Sequence, residues 1–296
     1  MNFLSVLDAG VDGLAEILRI GKAVKAKPED FANTHAGKSL GLFFEKPSLR
    51  TWVSSDVGAA QLGMHTISIP DAQVGLGTRE TPEDVGRVLD RYLDVLAMRV
   101  YSHSALESLA RGMKSPVINL LSDWEHPCQA VADLMTIAEN RELRGTKVAF
   151  VGDGNNVAHS LMLGVTMTGG SITVVTPEGY EPDVSMVTEA ERFGKVELSI
   201  DPLSGVKGAD VVYTDVWTSM GQEAETRRRL ADFAGFTVDE NLMSKASDKA
   251  IFLHCLPAHR GEEVSHGVIE SSASKVFDQA ENRLHSFKAV VLHLLR

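Results

Sequence analysis

The chain has only two cysteines, Cys128 and Cys255, among its 296 residues. Two thiols cannot build the disulfide framework of a small secreted protein or a zinc site made of cysteines alone. The sequence also lacks a G-x-x-x-x-G-K-[ST] phosphate loop, and Val157 stands where a dinucleotide-binding fingerprint beginning at Gly152 needs its third glycine. We therefore expect reduced thiols in a reducing, cytoplasmic compartment, and the pattern disfavours a nucleotide-dependent oxidoreductase.

Positive charge and long apolar runs are scarce as well. Lysine and arginine total 29 against 40 acidic residues, which gives a formal net charge of −11. A general nucleic-acid binder needs a basic surface, so nucleic acid is not expected as a partner. No run is apolar enough to cross a membrane. Asp8, Asp12 and Glu16 interrupt the apolar residues that start at Leu4, which predicts an amphipathic helix and not a secretory signal.

Strand-like runs alternate with helical patterns along the chain. Such alternation predicts an α/β protein with parallel sheets flanked by helices, in one sheet or two. A fresh strand–turn–helix unit begins near Gly145, which favours a domain boundary in the preceding helix. The predicted strands are residues 39–44, 65–69, 95–100, 116–121, 147–151, 171–175, 209–213 and 250–254.

Two segments in the first half place polar groups where a strand-like run gives way to a helical pattern. In residues 48–51, Ser48 is a predicted N-cap, and Arg50 would add a guanidinium suited to phosphate beside free helix amides. In residues 126–129, Pro127 fits the first helical position, next to His126 and Gln129, which can donate to an oxyanion or orient an amide. Ordinary helix caps with solvated polar side chains are the structural alternatives.

Two segments in the second half follow the same rule. Asp215 ends one strand-like run and precedes a loop containing Gly221, where a carboxylate can recognise an ammonium group. Residues 254–263 follow another such run and contain Cys255. Reactive groups at the ends of parallel strands lie where α/β proteins usually bind ligands. The structural alternatives are a turn capped by Asp215 and a small buried thiol.

Together these segments resemble the ornithine carbamoyltransferases of the aspartate/ornithine carbamoyltransferase family. The motifs S-x-R-T, H-P-C-Q, D-V-W-x-S-M-G and H-C-L-P-A-H-R-G-E-E occur in the order found in the family, as do residues 151–156 and 278–284. The resemblance runs from about Ser39 to the end of the chain. It implies a carbamoyl-phosphate-binding domain, residues 1–135 with a C-terminal helix of about 278–296, and an ornithine-binding domain, residues 136–277.

The implied reaction transfers the carbamoyl group of carbamoyl phosphate to the δ-amine of L-ornithine, giving L-citrulline and phosphate. No cofactor and no metal is expected, and the expected assembly is a homotrimer. The implied catalytic residues are Arg50, Arg99, His126, Gln129, Asp215, Cys255 and Arg283. The implied carbamoyl phosphate ligands are Ser48, Leu49, Arg50, Thr51, Gln73, Arg99, His126, Gln129, Cys255, Leu256 and Arg283. The implied ornithine ligands are Asn156, Asp215, Ser219 and Met220.

The chain departs from the common family pattern S-T-R-T-R at two positions. Leu49 lacks the hydroxyl of the usual threonine but keeps its backbone amide, and Trp52 lacks the positive charge of the usual arginine. These changes leave two alternatives open: a carbamoyltransferase for another amine, such as putrescine or acetylornithine, and a non-catalytic paralogue. The intact residues 215–221 favour ornithine, because they offer partners to a free α-amino acid.

Overall fold

A computed structural model describes residues 1–219, 221 and 223–296. The chain divides into two compact units, the first made of residues 1–135 and 281–296 and the second of residues 136–280. The backbone first passes from one unit to the other within helix α6 (Pro127–Asn140). It passes back within helix α13 (Val276–Leu294).

The first unit is built on a parallel sheet of four strands among the described residues, in the order β2-β1-β3-β4. Leu40, Leu42 and Phe43 of the central strand β1 are almost completely buried. The strands are β1 (Ser39–Phe44), β2 (His65–Pro70), β3 (Val95–Arg99) and β4 (Val117–Leu121). The helices before α6 are α1 (Gly10–Ala26), α2 (Leu49–Gln61), α3 (Asp71–Val74), α4 (Pro82–Leu89) and α5 (His103–Arg111).

The second unit is built on a parallel sheet of five strands among the described residues, in the order β7-β6-β5-β8-β9. Its strands are β5 (Lys147–Val151), β6 (Ser171–Val175), β7 (Val196–Ser199), β8 (Val211–Thr214) and β9 (Ile251–His254). Its helices after α6 are α7 (Asn156–Met167), α8 (Val184–Glu191), α9 (Pro202–Gly205), α10 (Thr226–Asp232), α11 (Glu240–Met243) and α12 (His266–Glu270).

The predicted α/β class with parallel sheets is confirmed, and the strands form two sheets. All eight predicted strands are present, with ends that differ by at most two residues. The sequence analysis missed β7, in which Val196 is the only buried residue. An edge strand with one buried side chain has no apolar run to reveal it.

Local chemistry explains where the two polar helix starts lie. Ser48 has extended backbone, and its hydroxyl accepts the N–H of Thr51, as an N-cap serine does. Pro127 is the first residue of α6, where its missing N–H costs no hydrogen bond. Both predictions are confirmed. The N-terminal helix starts later than the apolar pattern, at Gly10, because Ser5 caps a separate 3₁₀ turn over Val6–Ala9.

Close backbone packing explains why a glycine stands at position 154 after β5, so a nucleotide-binding role is not needed to explain it. A Cβ built on Gly154 would lie 2.2 Å from the backbone nitrogen of Pro182, so no other residue fits this contact. The glycine therefore serves close packing of two backbone segments within the second unit.

None of the described helices is long and apolar enough to span a membrane.

Candidate active site

In the first unit, the polar residues singled out from the sequence follow the carboxyl ends of three neighbouring parallel strands. Ser48 follows β1, Arg99 is the last residue of β3, and His126 follows β4. Strands β1 and β4 both pair with β3. The topology therefore gathers these segments at one edge of the sheet, where open α/β sheets bind ligands.

The start of α2 presents a hydroxyl pair and a guanidinium. The hydroxyl of Ser48 donates to the Oγ1 of Thr51 at 3.0 Å. Arg50 is half-buried, and its guanidinium makes no hydrogen bond or salt bridge with any residue that the structure describes. An uncommitted guanidinium beside the amides of a helix N-terminus suits an anion such as phosphate.

A buried chain of hydrogen bonds leads inward from this helix start. The Nη2 of Arg283 donates to Thr51 Oγ1 at 3.1 Å, and its Nη1 donates to Gln129 Oε1 at 2.5 Å. The Nε2 of Gln129 then donates to Oδ1 of Asp133 at 2.7 Å. Because Thr51 Oγ1 accepts from both Ser48 and Arg283, the proton of the Thr51 hydroxyl remains to be donated to a third group.

His126 is held neutral in the same unit. The imidazole is 4% exposed, and burial lowers its pKa well below the usual value, with the charges of Arg283 and Arg99 acting in the same direction. A neutral imidazole can donate a hydrogen bond to a carbonyl oxygen without adding another buried charge. Arg99 is 6% exposed.

Two residues expected in the carbamoyl phosphate site lie outside the hydrogen-bond chain. The Leu49 side chain is 71% exposed at the first turn of α2. Its backbone amide is therefore the group of Leu49 that can act together with Ser48 and Arg50 at the helix start. Gln73 is exposed on α3, and its backbone carbonyl accepts from Arg79 Nη1 at 3.3 Å.

In the second unit, a carboxylate and a thiol meet after neighbouring strands. The Sγ–H of Cys255 donates to Asp215 Oδ1 at 2.9 Å, although the two residues are 40 positions apart. The same carboxylate accepts from the backbone N–H of Val216 at 2.8 Å and from Nδ2 of Asn155 at 3.1 Å. Strands β8 and β9 pair with each other, which brings their carboxyl ends together.

The backbone after Cys255 is held by a completely buried pair of side chains. His254 Nδ1 accepts the N–H of Leu256 at 2.8 Å, so its proton lies on Nε2, which is 3.2 Å from Oε1 of Glu263. Leu256 has a φ of 57°, a left-handed conformation that is uncommon for a non-glycine residue. The His254–Glu263 pair therefore stabilises an unfavourable backbone conformation next to Cys255.

The remaining ornithine candidates are Asn156, Ser219 and Met220. Asn156 is the first residue of α7, and Ser219 lies half-buried in the loop after Trp217. Asn155 donates to Asp215 and also caps α7. Met220 lies outside the described residues.

A further clamp holds the loop that follows Asp215. Arg229 Nη1 donates to Oδ2 of Asp153 at 2.8 Å and to the carbonyl oxygen of Trp217 at 2.9 Å. The guanidinium also lies over the ring of Tyr180, 5.0 Å from the centroid. One buried arginine on α10 thereby joins the loop after β5 to the loop after β8.

Asp215, His254 and Cys255 bring possible metal-ligand atoms within 4.8 Å of one another. Each of the three is engaged in hydrogen bonds within the protein: Asp215 to Cys255, and His254 to Leu256 and Glu263. The expectation of metal-free chemistry stays a prediction.

Sequence reasoning did not single out Asp133 or Arg229, and it named Asp153, Asn155, His254 and Glu263 as members of motifs without predicting the contacts that they make. Only the spacing of Gln129 and Asp133, one helical turn apart on α6, was detectable from sequence. The contacts of Arg229 with Asp153 and of Asn155 with Asp215 join segments 76 and 60 positions apart, and His254 meets Glu263 across a turn of 9 positions.

Family models match nearly the whole chain. The model described as the aspartate/ornithine carbamoyltransferase carbamoyl-P binding domain matches residues 1–139. The model described as the Asp/Orn binding domain of the same family matches residues 144–294.

Relatives and solved structures agree with these models. An ornithine carbamoyltransferase of Pyrococcus abyssi is 51% identical, covering 88% of this chain and 84% of the relative. One from Carboxydothermus hydrogenoformans is 48% identical, covering 99% and 97%. The structure of the Pyrococcus furiosus ornithine carbamoyltransferase matches with a TM-score of 0.95 at 47% identity, covering 99% and 96% of the two chains. An N-acetyl-L-ornithine transcarbamylase structure matches with a TM-score of 0.89 at 30% identity, covering 99% of both chains. The chain belongs to the aspartate/ornithine carbamoyltransferase family.

Proposed function

We propose that this protein is an ornithine carbamoyltransferase, which transfers the carbamoyl group of carbamoyl phosphate to the δ-amine of L-ornithine and releases phosphate and L-citrulline. The observation that carries the proposal is the buried chain from Thr51 through Arg283 to Gln129, beside a neutral His126 and an uncommitted Arg50. This arrangement combines an anion site with donors suited to a carbonyl oxygen.

Residues 1–135 with the C-terminal helix of about 278–296 would bind carbamoyl phosphate. Arg50 and the amide of Leu49 would hold the phosphate, and the hydroxyl of Ser48 would turn from Thr51 Oγ1 to donate to it as well. Gln73 would contribute to the site of a neighbouring subunit. Thr51, His126, Arg99 and Arg283 would direct hydrogen bonds or positive charge at the carbonyl oxygen as it becomes negative. Such preorganised donors lower the barrier because they need no rearrangement during the reaction.

Residues 136–277 would bind ornithine, with Asn156, Asp215, Ser219 and Met220 as ligands. An alkylamine has a pKa of about 10.4, so about one molecule in a thousand is neutral near pH 7.4. The attacking amine must therefore lose a proton. The Asp215 carboxylate, which already accepts the Cys255 thiol proton, is the group suited to receive an ammonium proton. The backbone of Cys255 and Leu256 would accept from the carbamoyl nitrogen.

Arg50 tests the phosphate site. Loss of a buried charge-assisted contact costs about 2–5 kcal/mol, so Arg50→Ala should lower kcat/KM for carbamoyl phosphate by at least about thirtyfold. Arg50→Lys should restore activity only in part, because an ammonium lacks the planar fork. Arg111→Ala, which removes an exposed arginine of the same unit, is the control. Near-normal kinetics in folded Arg50→Ala would place the phosphate site elsewhere.

The amine substrate is tested by phosphate release with ornithine, N-acetylornithine and putrescine. N-acetylornithine is included because an N-acetyl-L-ornithine transcarbamylase shares this fold at 30% identity. We expect ornithine to give the highest kcat/KM, and a preference for an amine without a free α-amino group would reject ornithine. A steady-state rate that falls in His126→Ala would exclude a non-catalytic paralogue.

We also propose a homotrimer in the cytoplasm. The outer face of α2 and β2 exposes a group of apolar side chains that a soluble monomer rarely leaves in water: Leu49, Trp52, Val53, Val57 and Ile67. These residues suit contact with another copy. The free thiols of Cys128 and Cys255 fit a reducing compartment. Sedimentation that finds a fully active monomer at assay concentration would reject the trimer.

A further inference from the structure

We propose that Asp133 is a positioning residue for the carbamoyl transfer. It holds the Gln129 amide in one orientation, so that Gln129 and Arg283 meet the carbamoyl group in a single arrangement. The inference rests on the proposed function, since it assigns a supporting residue to that site.

The geometry removes the ambiguity of the Gln129 amide. Gln129 and Asp133 lie one turn apart on α6, so their side chains share a face of the helix. A carboxylate only accepts hydrogen bonds and a guanidinium only donates them. With Asp133 at 2.7 Å on one side and Arg283 at 2.5 Å on the other, the amide nitrogen must face Asp133 and the oxygen must face Arg283.

Burial makes this arrangement costly to disturb. Asp133 is completely buried and Gln129 is 1% exposed. The buried charged or titratable groups on α6, on α13 and at the strand ends of this unit include Arg99, Glu125, His126, Cys128, Arg283, His285 and Lys288, of which His126 is held neutral. Glu125 lies in the connection between β4 and α6, and its carboxylate accepts the backbone N–H of Val6. Without the Asp133 carboxylate, the buried amide nitrogen of Gln129 loses its acceptor, and the bond to Arg283 alone would have to hold the amide in place.

Loss of this arrangement would misplace the groups that are proposed to act on the carbonyl of carbamoyl phosphate. Arg283 also donates to Thr51, whose hydroxyl proton is left for another acceptor. A rotated Gln129 would release one nitrogen of Arg283 and allow the guanidinium to leave Thr51. A displacement of about 1 Å in such a site can cost about a hundredfold in rate.

A double-mutant cycle tests the proposal with Asp133→Asn, Gln129→Ala and the combined variant. We expect Asp133→Asn to lower kcat/KM for carbamoyl phosphate by about ten- to a hundredfold, and KM for ornithine to change by less than about twofold. Because Asp133 acts through Gln129, adding Asp133→Asn to Gln129→Ala should lower kcat/KM by no more than about twofold further. Independent effects that multiply in the combined variant would overturn the proposal.

Lys288→Gln is the matched control. Lys288 is a buried charge of the same unit, and it donates to Gln61, which is not part of the hydrogen-bond chain of Thr51, Arg283, Gln129 and Asp133. The substitution should leave kcat/KM within about twofold of the wild type. A loss as large as that of Asp133→Asn would mean that any buried charge change has this effect, and would overturn the positioning role.

Nuclear magnetic resonance of the glutamine side-chain amides provides a readout that needs neither activity nor a folded Asp133 variant. In the wild type, the Gln129 amide signal, assigned by its loss in Gln129→Ala, should include a proton shifted downfield and protected from exchange by the carboxylate. Fast exchange at both amide protons would overturn the proposal. Absence of carbamoyltransferase activity in the wild type would reject the proposed function as well, whereas an active wild type with an additive cycle would reject only the role of Asp133.

Discussion

The two cysteines show how position in the fold gives one residue type two different chemistries. Cys128 is 1% exposed, and burial raises its pKa to about 12, an effect that the charge of Arg283 only partly opposes. Cys255 is half-buried and donates to Asp215 at 2.9 Å. Only thiolates react rapidly with alkylating reagents, so burial and a high pKa should protect Cys128.

We therefore predict selective alkylation by iodoacetamide at pH 8. Mass spectrometry should find Cys255 modified at least about tenfold faster than Cys128, because the Cys128 thiol is buried from the reagent and its raised pKa leaves little thiolate. Ornithine should slow the reaction of Cys255 if the amine binds beside it. Equal rates at the two thiols in the folded protein would contradict the burial argument.

At the scale of an element, α10 controls the loop after β8 through Arg229. The pKa of Asp153 is raised by burial, and the adjacent charge of Arg229 acts against that rise. Arg229 itself is 6% exposed and holds the carbonyl oxygen of Trp217. Removing the arginine would leave a buried carboxylate without its cation and the loop without its clamp.

We predict that Arg229→Ala lowers the free energy of unfolding by about 3 kcal/mol and raises KM for ornithine about tenfold or more. The constants for carbamoyl phosphate should change less, because its proposed ligands lie mainly in the first unit. Arg228→Ala is the control, since Arg228 is exposed and pairs with surface carboxylates at 3.3 and 3.9 Å. It should alter stability by less than about 1 kcal/mol. Equal effects of the two substitutions would contradict the clamp.

For the whole molecule, buried and half-buried histidines link stability to pH. Burial is the largest cause of a lowered pKa at His35, His103, His126, His285 and His293. Below about pH 6.5 the unfolded chain then binds more protons at these groups than the folded protein does. Their contribution to stability is therefore complete above pH 6.5 and is lost as the pH falls. Glu45 and Asp153, whose pKa values burial raises, act in the opposite direction.

We predict that the urea midpoint of unfolding falls between pH 7.5 and pH 5.5. A histidine that remains neutral at pH 5.5 costs about 1.4 kcal/mol relative to an unfolded pKa of about 6.5, and His126, the most deeply buried of these five, should approach this figure. His126→Gln should weaken the pH dependence by a similar amount. An unchanged midpoint across this range would contradict the prediction.

The sequence alone determined much of this protein, because its strongest signals are local. Apolar runs marked eight of the nine strands described, and the caps at Ser48 and Pro127 depend only on neighbouring residues. Motifs in a fixed order pointed to the family, and all of them lie at the end of a strand except residues 278–284, which lie within α13. The edge strand β7 escaped detection because its side chains are mostly exposed.

Tertiary structure alone decided which side chains meet. Arg283 reaches Gln129 across 154 positions, Cys255 reaches Asp215 across 40, and Arg229 reaches Asp153 across 76. It also decided that the apolar residues of α2 lie outside, with Val53 45% exposed, although their helical spacing is the same as that of a buried face. The physical reason is that periodicity depends on the backbone of one element, whereas burial, pKa and hydrogen-bond partners depend on what other elements place against it.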